Sequence, residues 1–317
     1  MMKVYCAIDL GGTKMNIGIM TREGEVIDHI KIPTFVEKGS EQAIKRIKDT
    51  IYELLEKLNL KKENIKGIGI GSPGPLDSEK GIIIKSSNLK GWKNVEIVKN
   101  LSVDFKDIPI KLENDGNAAT LGEFLFGAGK GSKNFVYITV STGVGGGAVI
   151  DGKLQKGGNS NAFEVGHTII DLNGPKCNCG NYGCLEAYAS GTAIGRIARE
   201  KLSEGRESLI SKIARENIVK SEDVFEAAKE GDALALEIIE REGYYLGIGL
   251  YNIIALYNPE KISIGGGVSN GFDYFYEKMM KTINSMSLKP NIEICKIEKA
   301  HREDCGLIGA GALAFYE

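Results

Sequence analysis

The sequence has no surplus of either charge: 40 Lys and Arg stand against 42 Asp and Glu, for a formal net charge of -2. That balance argues against a nucleic-acid or anionic-membrane surface as the main partner. No charge run is long enough to suggest a disordered tail. No stretch of about 18 uninterrupted apolar residues occurs, so no membrane span is expected. The N-terminus, Met1-Met2-Lys3-Val4-Tyr5-Cys6, lacks the apolar region and small-residue cleavage site of a signal peptide. A cytoplasmic protein is the expectation. The P-loop spacing is also missing at both places that suggest one, Asp9 to Lys14 and Gly127 to Ser132; the latter reads as a plain loop.

What is present fits a soluble chain of 317 residues, 26% charged and 42% hydrophobic, with length enough for two domains. The 41 glycines mark tight turns and places where backbone approaches a ligand. Of six cysteines, Cys6, Cys295 and Cys305 are scattered and read as small core residues. Cys177, Cys179 and Cys184 crowd into one loop, in a cytoplasmic chain more often a metal site than a disulfide framework.

A weak internal repeat organises the chain. Val4 to Leu10, a Gly11-Gly12 turn, Met15 to Met20, a Glu23-Gly24 turn and Val26 to Ile32 read as strand–turn–strand–turn–strand. The order returns at Phe135 to Val140, a glycine turn from Gly143 to Gly147 running into a strand through Ile150, an Asp151-Gly152 turn and a third strand. Alternating helices and strands follow each unit, which predicts α/β layering. Ser40 is expected to cap a helix whose buried face is Ile44, Ile47, Ile51, Leu54, Leu55 and Leu58. A strand from Ile108 to Leu112 precedes a helix from Asn117 to about Phe126. The longest helix runs from about Asp232 to Tyr257, stopped by Asn258-Pro259. A last helix, Gly306 to Tyr316, contains Gly309, Ala310, Gly311 and Ala312, a density of small residues that implies close packing on another backbone.

Three glycine turns carry candidate chemistry. In Asp9-Leu10-Gly11-Gly12-Thr13-Lys14, glycine N–H groups can cradle phosphate oxygens, Thr13 can donate to them and Lys14 adds positive charge. Asp9 would hold hydrated Mg²⁺ rather than phosphate, since two anions repel. Ser141-Thr142-Gly143-Val144-Gly145-Gly146-Gly147 occupies the matching place in the repeat, so the two turns could close on one phosphate chain. Gly265-Gly266-Gly267, between a predicted strand and a helix, suits adenine or ribose against bare backbone. An ordinary hairpin or strand-to-helix turn is the bland reading of each.

These motifs resemble the sugar-kinase, Hsp70 and actin superfamily, and within it the ROK family of repressors, uncharacterised reading frames and sugar kinases. The resemblance covers essentially the whole chain and includes Gly71-Ser72-Pro73-Gly74-Pro75, Asn88-Leu89-Lys90-Gly91-Trp92, Glu113-Asn114-Asp115-Gly116-Asn117, Glu164-Val165-Gly166-His167 and Cys177-Asn178-Cys179 through Cys184-Leu185-Glu186. It implies an α/β fold of two ribonuclease-H-like domains with an active-site cleft between them. Residues 1–115 with 302–317 would form a small domain, and 116–301 a large one carrying the cysteine loop. It implies ATP-dependent transfer to the 6-hydroxyl of glucose, in a homodimer or homotetramer with no nucleic-acid or membrane partner. Asp115 would take the hydroxyl proton; the residues alone leave it equally readable as a helix cap. Asn114, Asp115, Glu164, His167 and Glu186 match sugar-binding positions, with Gly74 and Asn88 on loops that approach the sugar; carboxylates accept two O–H bonds while amide and imidazole donate.

His167, Cys177, Cys179 and Cys184 have the composition of a closed structural Zn²⁺ site. Cys-x-Cys is less typical than Cys-x2-Cys, and it is the resemblance that turns the reading from reduced surface cysteines to zinc. One position departs from the pattern. Where the glucokinase branch usually has glycine before the Glu164 equivalent, this chain has Phe163, a ring that could narrow the sugar pocket or pack beneath it. Fructose, mannose, N-acetylmannosamine and N-acetylglucosamine therefore remain alternatives to glucose. A repressor would carry a helix-turn-helix ahead of the phosphate turn, for which Asp9 leaves no room, and an actin-like or chaperone ATPase would need neither the sugar constellation nor the cysteine loop.

Overall fold

A computed structural model describes residues 2–86, 88–215 and 218–316. In chain order the elements are β1 (Val4–Leu10), β2 (Lys14–Met20), β3 (Val26–Pro33), α1 (Ser40–Lys57), β4 (Ile65–Ser72), β5 (Leu76–Asp77), β6 (Ile82–Lys85), β7 (Lys93–Val95), α2 (Ile97–Ser102), β8 (Ile110–Asn114) and α3 (Asp115–Phe126). There follow β9 (Phe135–Val140), β10 (Val144–Ile150), β11 (Lys153–Leu154), α4 (Leu185–Tyr188), α5 (Gly191–Ser203), α6 (Ile210–Ile213), α7 (Ser221–Lys229) and α8 (Ala233–Tyr257). The chain closes with β12 (Lys261–Gly265), α9 (Phe272–Asn284), α10 (Lys289–Ile294), β13 (Lys296–Lys299) and α11 (Cys305–Leu313). One five-stranded sheet has the order β3-β2-β1-β4-β8 and another β11-β10-β9-β12-β13, so the repeat read in the sequence is a repeat of topology. Three short strands, β5-β6-β7, form a separate sheet.

Two compact units are present: residues 1–137, 147–163 and 300–317, and residues 138–146 and 164–299. In the first, β1 shows why a strand of period two needs two covers. Val4, Cys6, Ile8 and Leu10 are fully buried in the cluster that contains Ala43, Ile44, Ile47, Ile51, Leu54 and Leu55 of α1. Tyr5 and Ala7 face the other way and cluster with Leu307 and Ile308 of α11. Each such isoleucine or leucine contributes roughly 1.5–3 kcal/mol of burial. Helices α3 and α11 approach so closely that a Cβ on Gly309 would lie 1.7 Å from the Ala118 carbonyl oxygen. The small residues of α11 do pack on another backbone. Glu123 of α3, fully buried, ties this pair to the chain entering α11 by accepting from the N–H groups of Ala128 (2.9 Å), His301 (3.2 Å) and Arg302 (2.6 Å).

Several boundaries differ from expectation for local reasons. The residue that precedes α1 is Gly39 at φ 85, a conformation open to glycine, so Ser40 is the first helical residue and not its cap. Helix α3 starts two residues early, at Asp115, because the Asn114 side chain accepts from the N–H groups of Gly116 and Asn117. The preceding strand is displaced with it, to Ile110–Asn114. Helix α8 matches: Asp232 caps it through the Ala235 N–H, and Asn258 ends it at φ 44. Helix α11 stops at Leu313, short of Tyr316. No helix among the described residues is long and apolar enough to cross a membrane.

In the second unit, Glu242 lies in the middle of α8, 1% exposed, with no hydrogen-bond partner for either carboxylate oxygen among the described residues. Burial pushes its pKa up to about 8, opposed weakly by Arg241. A folded-state pKa above the unfolded one means that the stability tied to this proton is intact below pH ~4.5 and is lost as pH rises through ~8, at a cost of order 3–5 kcal/mol. Glu242→Gln is therefore expected to shrink the fall in denaturation midpoint between pH 6 and pH 9; an unchanged fall would reject the assignment.

Candidate active site

In the first unit the candidate residues gather where parallel strands end. β1, β4 and β8 run parallel, with Asp9 opposite Gly71 and Gly71 opposite Glu113, so Asp9 and the β8–α3 junction lie along one carboxyl edge. Such edges are where α/β sheets hold ligands. The turn after Asp9 is closed by the Gly11 N–H donating to the Lys14 carbonyl at 3.0 Å. Thr34 locks it from outside, its hydroxyl donating to the Gly11 carbonyl at 2.6 Å and its N–H to the Thr13 carbonyl at 2.8 Å. The turn also meets the Asn88 loop, because a Cβ on Gly12 would stand 2.3 Å from the Asn88 carbonyl oxygen. Beside it opens a cavity of about 590 Å³ lined by Asp9, Lys14, Asn16, His29 and Lys31 among others. Burial, with the Asp115 charge second, raises the Asp9 pKa to about 6 against the pull of Lys31.

The structure separates the two readings of Asp115. Asn114 is the N-cap, its Oδ1 accepting from Gly116 N at 2.8 Å and Asn117 N at 3.3 Å. Asp115 is the first helical residue, and its carboxylate accepts from the Gly116 N–H at 2.9 Å. Its side chain reaches the surface, yet surrounding protein withdraws enough water to raise its pKa, the main cause being desolvation. Behind it, fully buried Glu113 accepts from Asn114 N (3.0 Å) and Asn117 Nδ2 (3.0 Å) and pairs with Lys156 (3.1 Å). A Cβ on Gly74 would lie 3.2 Å from Asn161 Oδ1 and 3.4 Å from Asn114 Nδ2, which brings those three together.

The second unit holds the other candidates. At the β9–β10 turn, a Cβ on Gly143 would stand 2.2 Å from Glu186 Oε2, so a side chain there would have to displace that carboxylate. That same oxygen accepts from the Val144 N–H at 3.0 Å, so Glu186 has one oxygen committed to the turn, while Oε1 faces Cys177 Sγ at 3.8 Å. The short helix Val165–His167, headed by exposed Glu164, abuts the turn through Gly166, whose Cβ would be 2.1 Å from the Val144 carbonyl oxygen. Gly145 flanks the turn in β10, where a Cβ would meet Thr139 Cγ2 at an ordinary contact distance of 3.6 Å. Gly266, at φ 83 and with its Cβ position 2.4 Å from the Val140 carbonyl oxygen, packs the third glycine turn on β9, which Gly265 reaches as the last residue of β12.

A cavity of about 320 Å³ adjoins these turns, lined by Ser141, Thr142, Thr192, Arg199, Lys220 and Gly267 among others. Ser190 caps α5 on its Ala193 N–H, and the Thr192 hydroxyl donates to the Thr142 carbonyl at 2.7 Å. Arg199 reaches the Val219 carbonyl at 2.6 Å and fixes the far wall. The sequence reading quoted Glu113 within a motif but gave it no role, and passed over Thr34, Thr192 and Arg199, whose places are set by distant partners.

The ligand atoms of His167, Cys177, Cys179 and Cys184 lie within 4.8 Å of one another. Cys179 and Cys184 sulfurs are 3.6 Å apart, and Cys177 Sγ is 3.8 Å from His167 Nδ1. Ligands on a tetrahedral Zn²⁺ at about 2.0–2.3 Å stand about 3.5–3.8 Å apart; the donor chemistry and these two separations fit that ion, while the four donors as a set spread up to 4.8 Å. Phe163 has φ 66, a left-handed backbone that costs a residue with a side chain roughly 1–2 kcal/mol and glycine almost nothing. The bulky residue stands at a position whose backbone geometry suits glycine.

A model of the ROK family matches residues 5–317. The chain is 37% identical to a glucokinase of Halalkalibacterium halodurans, over 98% of this chain and 94% of the relative, and 36% identical to a glucokinase of Thermotoga maritima, over 96% and 95%. The crystal structure of a ROK family glucokinase from Streptomyces griseus in complex with glucose and AMPPNP superposes with a TM-score of 0.80 at 28% identity, covering 98% of each chain.

The strain at Phe163 makes an order of stabilities. Phe163→Gly and Phe163→Ala remove the same ring, but only glycine relieves the backbone. Urea unfolding is expected to find the Gly variant about 1 kcal/mol more stable than the Ala variant, the reverse of the usual order.

Proposed function

The chain belongs to the ROK family, and from that premise we propose that it is an ATP-dependent hexose kinase acting on the 6-hydroxyl of glucose. The observation that carries the reading is the division of labour at the β8–α3 junction: Asn114 caps the helix, and the Asp115 carboxylate, whose Oδ1 accepts from the Gly116 N–H, keeps Oδ2 for a reacting proton. In the proposed reaction the sugar O6 attacks the γ-phosphorus, its proton passes to Asp115, and the bond from the γ-phosphorus to the bridging oxygen breaks to release ADP. A raised pKa brings Asp115 nearer the operating pH, which favours proton transfer.

The nucleotide roles follow the two halves. Adenosine is assigned to the 320 Å³ cavity beside Gly265, Gly266 and Gly267, and the phosphates to the turns at Thr142, Gly143 and Gly145 and at Gly11, Gly12, Thr13 and Lys14. Mg²⁺ arrives with ATP and would be held through water by Asp9, neutralising charge on the phosphates. The hexose is assigned to Gly74, Asn88, Asn114, Asp115, Glu164, His167 and Glu186. Asn114 Oδ1 is spent on the cap, so its Nδ2 would be the donor to a hydroxyl. The proposed reaction also requires excluding water that would otherwise take the phosphoryl group. A dimer or tetramer in the cytoplasm is part of the same reading.

Zn²⁺ bound by His167, Cys177, Cys179 and Cys184 would supply a rigid four-coordinate crosslink with no open position for chemistry. The four residues would fix the His167 ring through Nδ1 and leave Nε2 to face a hydroxyl. Metal analysis of the purified chain is expected to find one zinc per chain, and Cys179→Ser to lose both the zinc and thermal stability; a full-affinity metal-free protein would remove zinc from the account.

The decisive assay is ADP release with Mg²⁺-ATP and glucose, mannose, fructose, N-acetylglucosamine or N-acetylmannosamine. Asp115→Asn is expected to lower kcat about 10²–10⁴-fold with little change in hexose binding. Turnover confined to another sugar would keep the mechanism and implicate Phe163. No hexose-dependent turnover would overturn the kinase reading.

A further inference from the structure

We propose that residues 155–163 form a strap that positions the hexose-binding edge, with Lys156 and Asn161 as its positioning residues; the proposal rests on the hexose-kinase reading. The strap is tied to the rest of the first unit at three places. Lys156 Nζ pairs with Glu113 Oε2 at 3.1 Å, the carboxylate whose other oxygen holds Asn114 N and Asn117 Nδ2 at 3.0 Å each. Asn161 bonds Leu76 in both directions, Oδ1 accepting from its N–H at 3.3 Å and Nδ2 donating to its carbonyl at 3.4 Å. Ser160 and Ser78 share a hydrogen bond of 2.6 Å between their hydroxyls. One tie therefore ends beside the base, and two end just after the Gly74 turn.

The backbone between the ties is held away from its easy conformations. Gly157, Ser160 and Phe163 all have positive φ, at 71, 63 and 66, and two of the three are not glycine. Left-handed residues with side chains persist where surrounding structure over-determines them, as at ligand clamps. Here the ties supply that determination, and the chain leaves the last left-handed residue directly into Glu164. Asn161 also fills the space beside the Gly74 Cα, so shifting the strap would shift the Gly74 turn and Asn114 together. Glu113 is 0% exposed and loses its cationic partner if Lys156 is removed, which disturbs the group that orients Asn114. Neither Lys156 nor Asn161 needs to touch the sugar for this effect. Both act through Glu113, Asn114 and the Gly74–Leu76 backbone.

The test is a split between substrates. Lys156→Met, Lys156→Arg and Asn161→Ala are compared with the unmodified full-length chain, varying glucose and ATP separately and measuring glucose binding without nucleotide by calorimetry. Lys156→Met and Asn161→Ala are each expected to lose about 10- to 100-fold in kcat/KM for the hexose, the scale of a small misplacement of reacting groups, with the KM for ATP unchanged. Lys156→Arg should recover most of the loss. Hexose kinetics unchanged in both variants, or equal losses for hexose and ATP that follow a lowered melting temperature and are not recovered by arginine, would overturn the strap alone. An unmodified chain that turns over and binds no hexose would overturn the kinase reading and the strap with it.

Discussion

Much of the first unit depends on a single change of backbone conformation, from the extended Asn114 to the helical Asp115. A strand that becomes a helix without a loop leaves N–H groups with no internal partner, and Asn114 meets that need with one side-chain oxygen shared between Gly116 and Asn117. The junction is then anchored from below by a carboxylate with no solvent exposure, Glu113. A buried acid is tolerated here because Oε1 accepts two hydrogen bonds and Oε2, which has no hydrogen bond, is paired with the Lys156 ammonium. The result is a carboxylate, Asp115, presented at the edge of the sheet on a base that cannot easily shift.

The two five-stranded sheets share one topology but are finished differently. In the first, the β1–β2 turn is narrow and is braced by Thr34 and the Asn88 loop. In the second, the β9–β10 turn is braced by Glu186, by Gly166 and by hydrogen bonds from Gly191 and Thr192 at the start of α5. Duplicated strands thus give two similar glycine turns, and the chain inserted after each repeat decides what the turn is next to. After the second repeat that insertion includes the loop where three cysteines and a histidine converge.

The sequence was most readable where a residue acts on its near neighbours. Alternation marked β1, β2 and β9, three-four spacing marked α1, and Asp232 and Asn258-Pro259 marked the ends of α8, because each is a local preference. The small residues of α11 announced a close contact without naming α3. The failures came where a local signal had a stronger competitor: Ser40 was read as the cap of α1, but Gly39 enters it by a left-handed turn, and α3 was read from Asn117, but the Asn114 cap starts it at Asp115. The long-range ties of Lys156, Asn161, Thr34 and Glu123 leave no periodic trace, since each depends on a partner from 23 to 179 residues away. Phe163 was visible as a departure from a pattern; that its backbone remains in the glycine region became clear only in three dimensions.

Helix α11 has a consequence for the order in which the molecule can be made. It supplies Leu307 and Ile308 to the face of β1 that carries Tyr5 and Ala7, and it lies against α3 through Gly309. A ribosome delivers β1 long before α11, so β1 waits with one apolar face uncovered while the residues between them are made. The second unit, whose helices α4 to α9 are contiguous in the chain, faces no such delay. Nascent chains of this topology are expected to complete the second unit before the first, and to present the uncovered face of β1 to chaperones in the interval.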